Sequence, residues 1–239
     1  MRSSIIVVAC LASALSATTA SAYDAMDPTN CIGVEWNDKQ ALVVSKISGA
    51  PRVNFVKSPY DDDFKAESCP AATDACRKKS YLVNGDIVLA GRTKGEFTCV
   101  SYQSPTAKRG SWVKGWMPTA SLAPVAPMAA PKQADWIGTW SHPGGDIEIK
   151  RGEAGKLNVS GEMVINGGLN PQTADIDADV VPVKDTIAFV DDGSKPFDKT
   201  DEGDCRARMQ RVGDWLIVQD NAGCGGVGVT FTGIYHRKK

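Results

Sequence analysis

Residues 81–122 read YLVNGDIVLAGRTKGEFTCVSYQSPTAKRGSWVKGWMPTASL, and this stretch decides the fold. Tyr81-Leu82-Val83 is an apolar, β-prone run that stops at Asn84-Gly85, a dipeptide suited to a turn with positive φ. Ile87-Val88-Leu89-Ala90 follows, then the polar turn Gly91-Arg92-Thr93-Lys94-Gly95, then Phe97-Thr98-Cys99-Val100-Ser101-Tyr102. Side chains alternate along a strand, so Phe97, Cys99 and Ser101 share one face and Thr98, Val100 and Tyr102 the other. Trp112-Val113-Lys114-Gly115-Trp116-Met117 is a further short strand, closed by Pro118. Four strands in about forty residues leave no room for a helix and imply antiparallel meander pairing.

Working outward, Arg52 to Lys57 alternates cleanly and reads as the first strand of a small barrel. Ala41-Leu42-Val43-Val44 is a strand or one short helix, a choice that periodicity leaves open. Asp61-Asp62-Asp63 follows Pro59-Tyr60; consecutive carboxylates on an extended chain point in alternate directions and converge poorly on calcium, which favours a solvated loop.

The Gly85-Asp86 turn before an apolar strand, the Gly115-Trp116 pair late in the domain and Leu122 just beyond resemble a bacterial SH3-like domain over Pro51 to Ala123. The resemblance implies a non-catalytic module that binds peptides or cell-wall fragments, or serves as a spacer on an envelope protein.

The chain opens with the marks of export. Arg2 supplies positive charge, Ile5 to Leu15 an apolar run, and Ala20-Ser21-Ala22 a small-x-small cleavage pattern, so residues 1–22 read as a signal peptide. Val7-Val8-Ala9-Cys10 has the look of a lipoprotein box but leaves almost no apolar region ahead of it. No later segment is apolar enough for a bilayer span of about 20 residues. The expected location is the periplasm or the exterior. Without Arg2, 26 basic residues stand against 28 acidic ones, so no basic field exists to attract nucleic acid or anionic lipid.

Six cysteines remain once Cys10 is set aside, an even number in an exported chain and the signature of a disulfide framework. Cys31, Cys69, Cys76 and Cys99 precede a proline-rich segment; Cys205 and Cys224 follow it. If each domain closes its own bridges, Cys205 pairs with Cys224. Cys69 and Cys76 bracket the short loop CPAATDAC; pairing them leaves Cys31 for Cys99, although order along the chain leaves the connectivity of these four open. Zinc is disfavoured: the chain has only His142 and His236 and no Cys-x-x-Cys. No cofactor is expected.

Ala123 to Ala134, APVAPMAAPKQA, lacks a strand or helix pattern and reads as an extended, semi-stiff spacer. The domain plan is therefore a signal peptide at 1–22, an N-terminal arm at 23–50, the SH3-like module at 51–123, a linker at 124–134 and a C-terminal all-β domain at 135–239. That last part alternates short β runs (Trp136 to Trp140, Asp146 to Lys150, Lys156 to Ile165, Thr186 to Val190, Cys205 to Val212, Trp215 to Gln219, Val227 to His236) with turns at Pro143-Gly144-Gly145, Asn166-Gly167-Gly168, Asp191-Asp192-Gly193 and Gly223-Cys224-Gly225-Gly226. The fold class is all-β, a small SH3-like barrel followed by an antiparallel barrel or sandwich.

Gly138-Thr139-Trp140 resembles the Gly-x-Trp opening of lipocalins, which implies a carrier of small apolar ligands. Cys205, Trp215 to Asn221, Gly223-Cys224-Gly225-Gly226 and Val229 to Tyr235 resemble the closing segment of a β domain in proteobacterial lysozyme-inhibitor-like periplasmic proteins, which implies inhibition of a lytic enzyme. Here Val227-Gly228 stands where that pattern has a bulkier residue followed by Asn.

No catalytic constellation emerges. Neither His142, at a strand-to-turn position, nor His236, in the basic tail, neighbours a Gly-x-Ser-x-Gly elbow, and both read as surface histidines. Asp175, Asp177 and Asp179 follow one-three-five calcium spacing, but Val180 and Thr186 stand where the loop needs Gly and Glu, so a solvated strand face is the better reading. The Gly223–Gly226 run is followed by no Lys-Ser/Thr and is no phosphate loop. The expectation is an exported binding protein, not an enzyme, that recognises a peptide, a cell-wall fragment or an envelope protein. Tyr81, Trp112, Trp116 and Trp136 are the candidate ligand platforms, since an exposed aromatic stacks on sugars and peptides.

Overall fold

The computed structural model describes residues 27–35, 41–104, 112–165, 170–193, 195–199, 201 and 203–239. The leader at 1–22 with Cys10, and the Asn166-Gly167-Gly168 turn, lie outside the described residues.

The first sheet holds β1 (Val43–Ile47), β2 (Arg52–Val56), β3 (Arg77–Val83), β4 (Ile87–Lys94), β5 (Phe97–Gln103), β6 (Trp112–Pro118) and β7 (Leu122–Pro124), in the order β3-β2-β6-β5-β4-β1-β7. The turn between β3 and β4 forms as its residues dictate: Gly85 takes φ 98°, and Asp86 Oδ2 accepts the Val83 N–H at 2.8 Å. Both faces of β5 are buried. On one face Val100 packs with Ile47, Val53, Phe55, Leu82, Val88 and Met117. On the other, Phe97 and Cys99 pack with Val56, Trp116 and the Cys69 and Cys76 sulfurs. The second face is covered because Cys31–Cys99 draws residues 27–35 across it and Cys69–Cys76 folds the loop after β2 against it. That loop begins with one irregular helical turn, α1 (Asp61–Phe64), where Asp61 pairs with Lys78 and Asp62 with Lys57. Gly115 is small for a reason: a Cβ there would lie 2.8 Å from the Phe55 ring.

Two expectations change. The segment 23–50 is more than an arm, since β1 sits inside the sheet between β4 and β7. β4 needs a second hydrogen-bonding neighbour, and Val44 and Ile47 both bury apolar surface there. The proline-rich segment is likewise no free-standing spacer. Its start forms β7 against β1, the Val125 N–H donates to the Val44 carbonyl, and the Met128 N–H donates to the Arg211 carbonyl of the second domain.

The second domain opens with one helical turn, α2 (Gln133–Trp136), followed by β8 (Gly138–His142), β9 (Gly145–Arg151), β10 (Leu157–Ile165), β11 (Gln172–Val180), β12 (Thr186–Val190), β13 (Arg206–Val212), β14 (Trp215–Asp220) and β15 (Gly233–Arg237). The order is β11-β10-β9-β8-β15-β14-β13-β12, a nearly closed antiparallel barrel. The gap between β11 and β12 is bridged by the glycine loop: Gly225 pairs with Ala174, and the Gly226 N–H donates to the Thr173 carbonyl. Cys205–Cys224 anchors that loop to the start of β13. The three bridges are thus Cys31–Cys99, Cys69–Cys76 and Cys205–Cys224.

Trp136 is not on a strand. Asp135 accepts the Lys132 backbone N–H at 2.7 Å and holds α2, and the Trp140 indole N–H donates to the Trp136 carbonyl. Both indoles are fully buried in the barrel core with Ile147, Ile149, Leu157, Met209, Phe231 and Tyr235. On β11 the burial alternates so that Asp175, Asp177 and Asp179 face outward, as their parity predicts.

The two sheets meet through one apolar cluster. Val44 and Leu89 of the first pack against Val212, Ile217 and Ile234 of the second, with Leu42, Ile87, Trp112, Val125 and Trp215 around them. Each large side chain buried in this way contributes about 1.5–3 kcal/mol.

Candidate functional site at the domain junction

β5 and the β3–β4 turn end at the junction on one side, and β8, β14 and β15 on the other. They enclose a cleft of about 530 Å³, lined by Gly85, Asp86, Ile87, Tyr102, Gln103 and Ser104 from the first domain and by Ser141, His142, Pro143, Trp215, Ile234 and His236 from the second. It holds both histidines of the chain.

His142 ends β8 just before the Pro143-Gly144 turn, where Gly144 takes φ 115°. The residue is 6% exposed. Its imidazole stacks on the Tyr235 ring with centroids 4.7 Å apart and planes 27° from parallel, and the Trp112 ring lies 6.3 Å away. Gly233 leaves the space it occupies, because a Cβ there would lie 2.5 Å from His142 Nε2. Neither ring nitrogen has a hydrogen-bond partner. Burial, with a smaller contribution from His236, pushes its pKa down from the usual 6.5 to about 4; the adjoining Pro143 backbone opposes the shift without reaching hydrogen-bond geometry. The ring is therefore neutral above mildly acidic pH.

Gln103, at the end of β5, is 8% exposed, and its Nε2 also lacks a partner. It stands opposite Trp112 in the β5–β6 register, and its side chain therefore shares a face with the indole that approaches His142. His236 pairs in register with Ser141 on one side and Trp215 on the other, and burial lowers its pKa. Burial, then the nearby Asp86 carboxylate, raises that of Tyr102. Ser141 and Ser104 line the cleft, yet with both its nitrogens unpartnered His142 makes no hydrogen bond to either serine. The arrangement can enclose a ligand between aromatic rings and offer it hydrogen bonds.

Trp112 also lines a smaller cleft of about 260 Å³ at the same junction, with Val34, Glu35, Lys114, Gln219 and Thr230. There Gln219 Nε2 donates to the Glu35 carbonyl. Asp220 Oδ1 accepts from the Thr232 N–H and the Thr230 and Thr232 hydroxyls, and Oδ2 has no partner.

The aromatic residues singled out from sequence do not converge. Tyr81 is 42% exposed on β3, with the Arg52 guanidinium 4.6 Å over its ring, and lines neither junction cleft. Trp112 is half-buried at the junction. Trp116 and Trp136 are fully enclosed and present no face to a ligand. Trp116 is drawn in by the sheet face behind Cys99, its indole N–H donating to the Thr29 carbonyl at 3.2 Å. Sequence reasoning missed Tyr102, Gln103, Trp215 and the two histidines, and the surface reading of His142 is wrong. One signal was there: His142 has the parity of Trp140 on β8, and so lies on the core face.

No family model, no curated protein and no solved structure matches the chain.

Proposed function

We propose that this chain is an exported, non-catalytic binding protein of the bacterial cell envelope that holds a peptide, a cell-wall fragment or part of an envelope protein in the cleft between its two β domains. One observation carries the reading: a concave site at the junction in which rings and polar groups from both domains face the same space. Export is supported by the leader pattern and by three disulfides, which persist in oxidising compartments. No helix among the described residues is long and apolar enough to cross a membrane. The order of Gly85-Asp86 and Gly115-Trp116 supports an SH3-like first module. The test uses the chain without residues 1–22 as bait for envelope extracts and in co-sedimentation with purified peptidoglycan. Trp215→Ala and Tyr102→Ala should each release the bound material while Tyr81→Ala retains it. Retention unchanged by both cleft variants, or no retained material at all, would overturn the reading.

A second reading, inhibition of a lytic enzyme, is supported by a separate acidic face of the barrel, where Glu162 stands in register between Asp146 and Asp175, and Ser160 between Glu148 and Asp177. Lys238 already pairs with Asp146 and Lys150 with Glu148, so Glu162, Asp175 and Asp177 are the carboxylates that would oppose a basic enzyme. Lysozyme activity left unaltered by excess purified protein would remove it. The carrier reading loses support, because the barrel interior is filled by tightly buried side chains.

A further inference from the structure

Two buried polar side chains that line the junction cleft describe the group it would accept. His142 and Gln103 are each more than nine-tenths buried and line the same cleft, and both neighbour Trp112, which is opposite Gln103 in register and 6.3 Å from the imidazole. Three of their atoms, His142 Nδ1 and Nε2 and Gln103 Nε2, have no hydrogen-bond partner. Buried polar groups in folded proteins are otherwise almost always paired, so three orphans in one place call for a ligand or a water.

We propose that His142 and Gln103 form a subsite for a neutral secondary amide, such as an acetamido group or a peptide bond, carried on an apolar or ring-shaped ligand. This rests on the junction cleft being the binding site. A neutral imidazole offers one N–H and one lone pair, and the glutamine amide offers N–H groups, so the complementary group needs both an acceptor and a donor. A secondary amide carries both, on opposite sides of one planar unit. A carboxylate has only acceptors, leaves the imidazole lone pair unmatched and meets the Asp86 side of the cleft. An ammonium group has only donors and cannot serve Gln103 Nε2. Tyr102, Trp215 and Ile234 supply the apolar surface beside the amide. Access is compatible with the covalent frame: each disulfide lies within one domain, so none prevents the two walls from parting.

The experiment uses the full chain without its leader, labelled with nitrogen-15, and four probes. N-acetyl-alanine methylamide tests the peptide source and N,N′-diacetylchitobiose the sugar source; cellobiose and acetate are the amide-free controls. Both amide probes, or one of them, should shift the Gln103 side-chain signal and the His142 ring nitrogens, and the controls should not. Gln103→Leu and His142→Phe should each weaken that probe about tenfold, the effect of one lost hydrogen bond. His142→Phe should also raise Tm, because it removes unpartnered polar atoms from an apolar setting. Gln103→Leu carries the test if His142→Phe fails to fold. Probe binding at Trp215 and Tyr102 that neither variant weakens overturns the amide subsite and leaves the cleft as a binding site. No shift at Gln103 or His142 with any probe, or a long-lived buried water there that no probe displaces, also overturns it. Loss of the cleft reading is recognised separately, by envelope material that stays bound to Trp215→Ala and Tyr102→Ala.

Discussion

The imidazole of His142 lies stacked against the phenol ring of Tyr235, 4.7 Å between centroids, in a space that exists only because residue 233 is glycine. A titratable ring is thereby held neutral at the seam of two domains.

Stability should fall with acid for this reason. The unfolded ring protonates near its usual 6.5, whereas the folded ring resists protonation down to about 4. Above 6.5 both states are neutral and the group has no effect. Between 6.5 and 4 the unfolded state gains the proton first, so stability drops progressively, by about 3 kcal/mol at the lower limit. Thermal unfolding across this window should show the decline, and His142→Phe should remove most of it. Equal slopes in the two proteins would contradict the assignment.

Gly233→Ala places a methyl group 2.5 Å from His142 Nε2. The ring must shift from its stack on Tyr235, an overpacking cost of about 1–3 kcal/mol. Denaturant midpoints measure it, and the Tyr235 ring signals should move. A neutral effect would mean that the imidazole is free to relocate.

Replacing Cys205 and Cys224 together with Ser removes a bridge spanning 19 positions, worth about 3 kcal/mol by loop closure. It also releases the glycine loop that pairs with β11, so the amide protons of Thr173 to Ile176 should exchange faster than those of β13 and β14. Uniform exchange would show that the loop holds without its bridge.

Leu89→Ala cuts the apolar cluster that joins the sheets, in which Leu89 is fully buried. A loss of about 2–5 kcal/mol is expected. Limited proteolysis should then open the segment from Ala123 to Ala134 before either domain is cut. Unchanged resistance there would show that the proline-rich strap, and not the cluster, holds the junction.

Local order in the chain was sufficient for most strands and for the turn at Gly85, but not for β1, β7 or the pairing of the first four cysteines. Period-two alternation placed β2, β5 and β11, the Gly85 turn announced its positive φ, and an even cysteine count in an exported pattern left few pairings. These features depend on neighbours a few residues apart, or on chain-wide counts, and so can be read directly. Burial of individual aromatics could not be read in this way. Trp116 and Tyr81 both sit on β-prone runs, yet one faces a covered sheet surface and the other an open edge, and which surface becomes covered depends on where Cys31 and the loop after β2 come to rest. The helical turn at Trp136 escaped for a similar reason, since its four residues carry no periodicity and Asp135 alone caps it.

By itself, then, the amino-acid order determined an all-β chain stapled by disulfides in two parts. Only the tertiary structure decided that the proline-rich segment straps those parts together, that the glycine loop seals the barrel, and that Gln103, His142, Trp215 and His236 share one cleft. The physical reason is range: alternation and turn chemistry act between adjacent residues, whereas the cleft exists because an apolar cluster draws surfaces together from opposite halves of the chain.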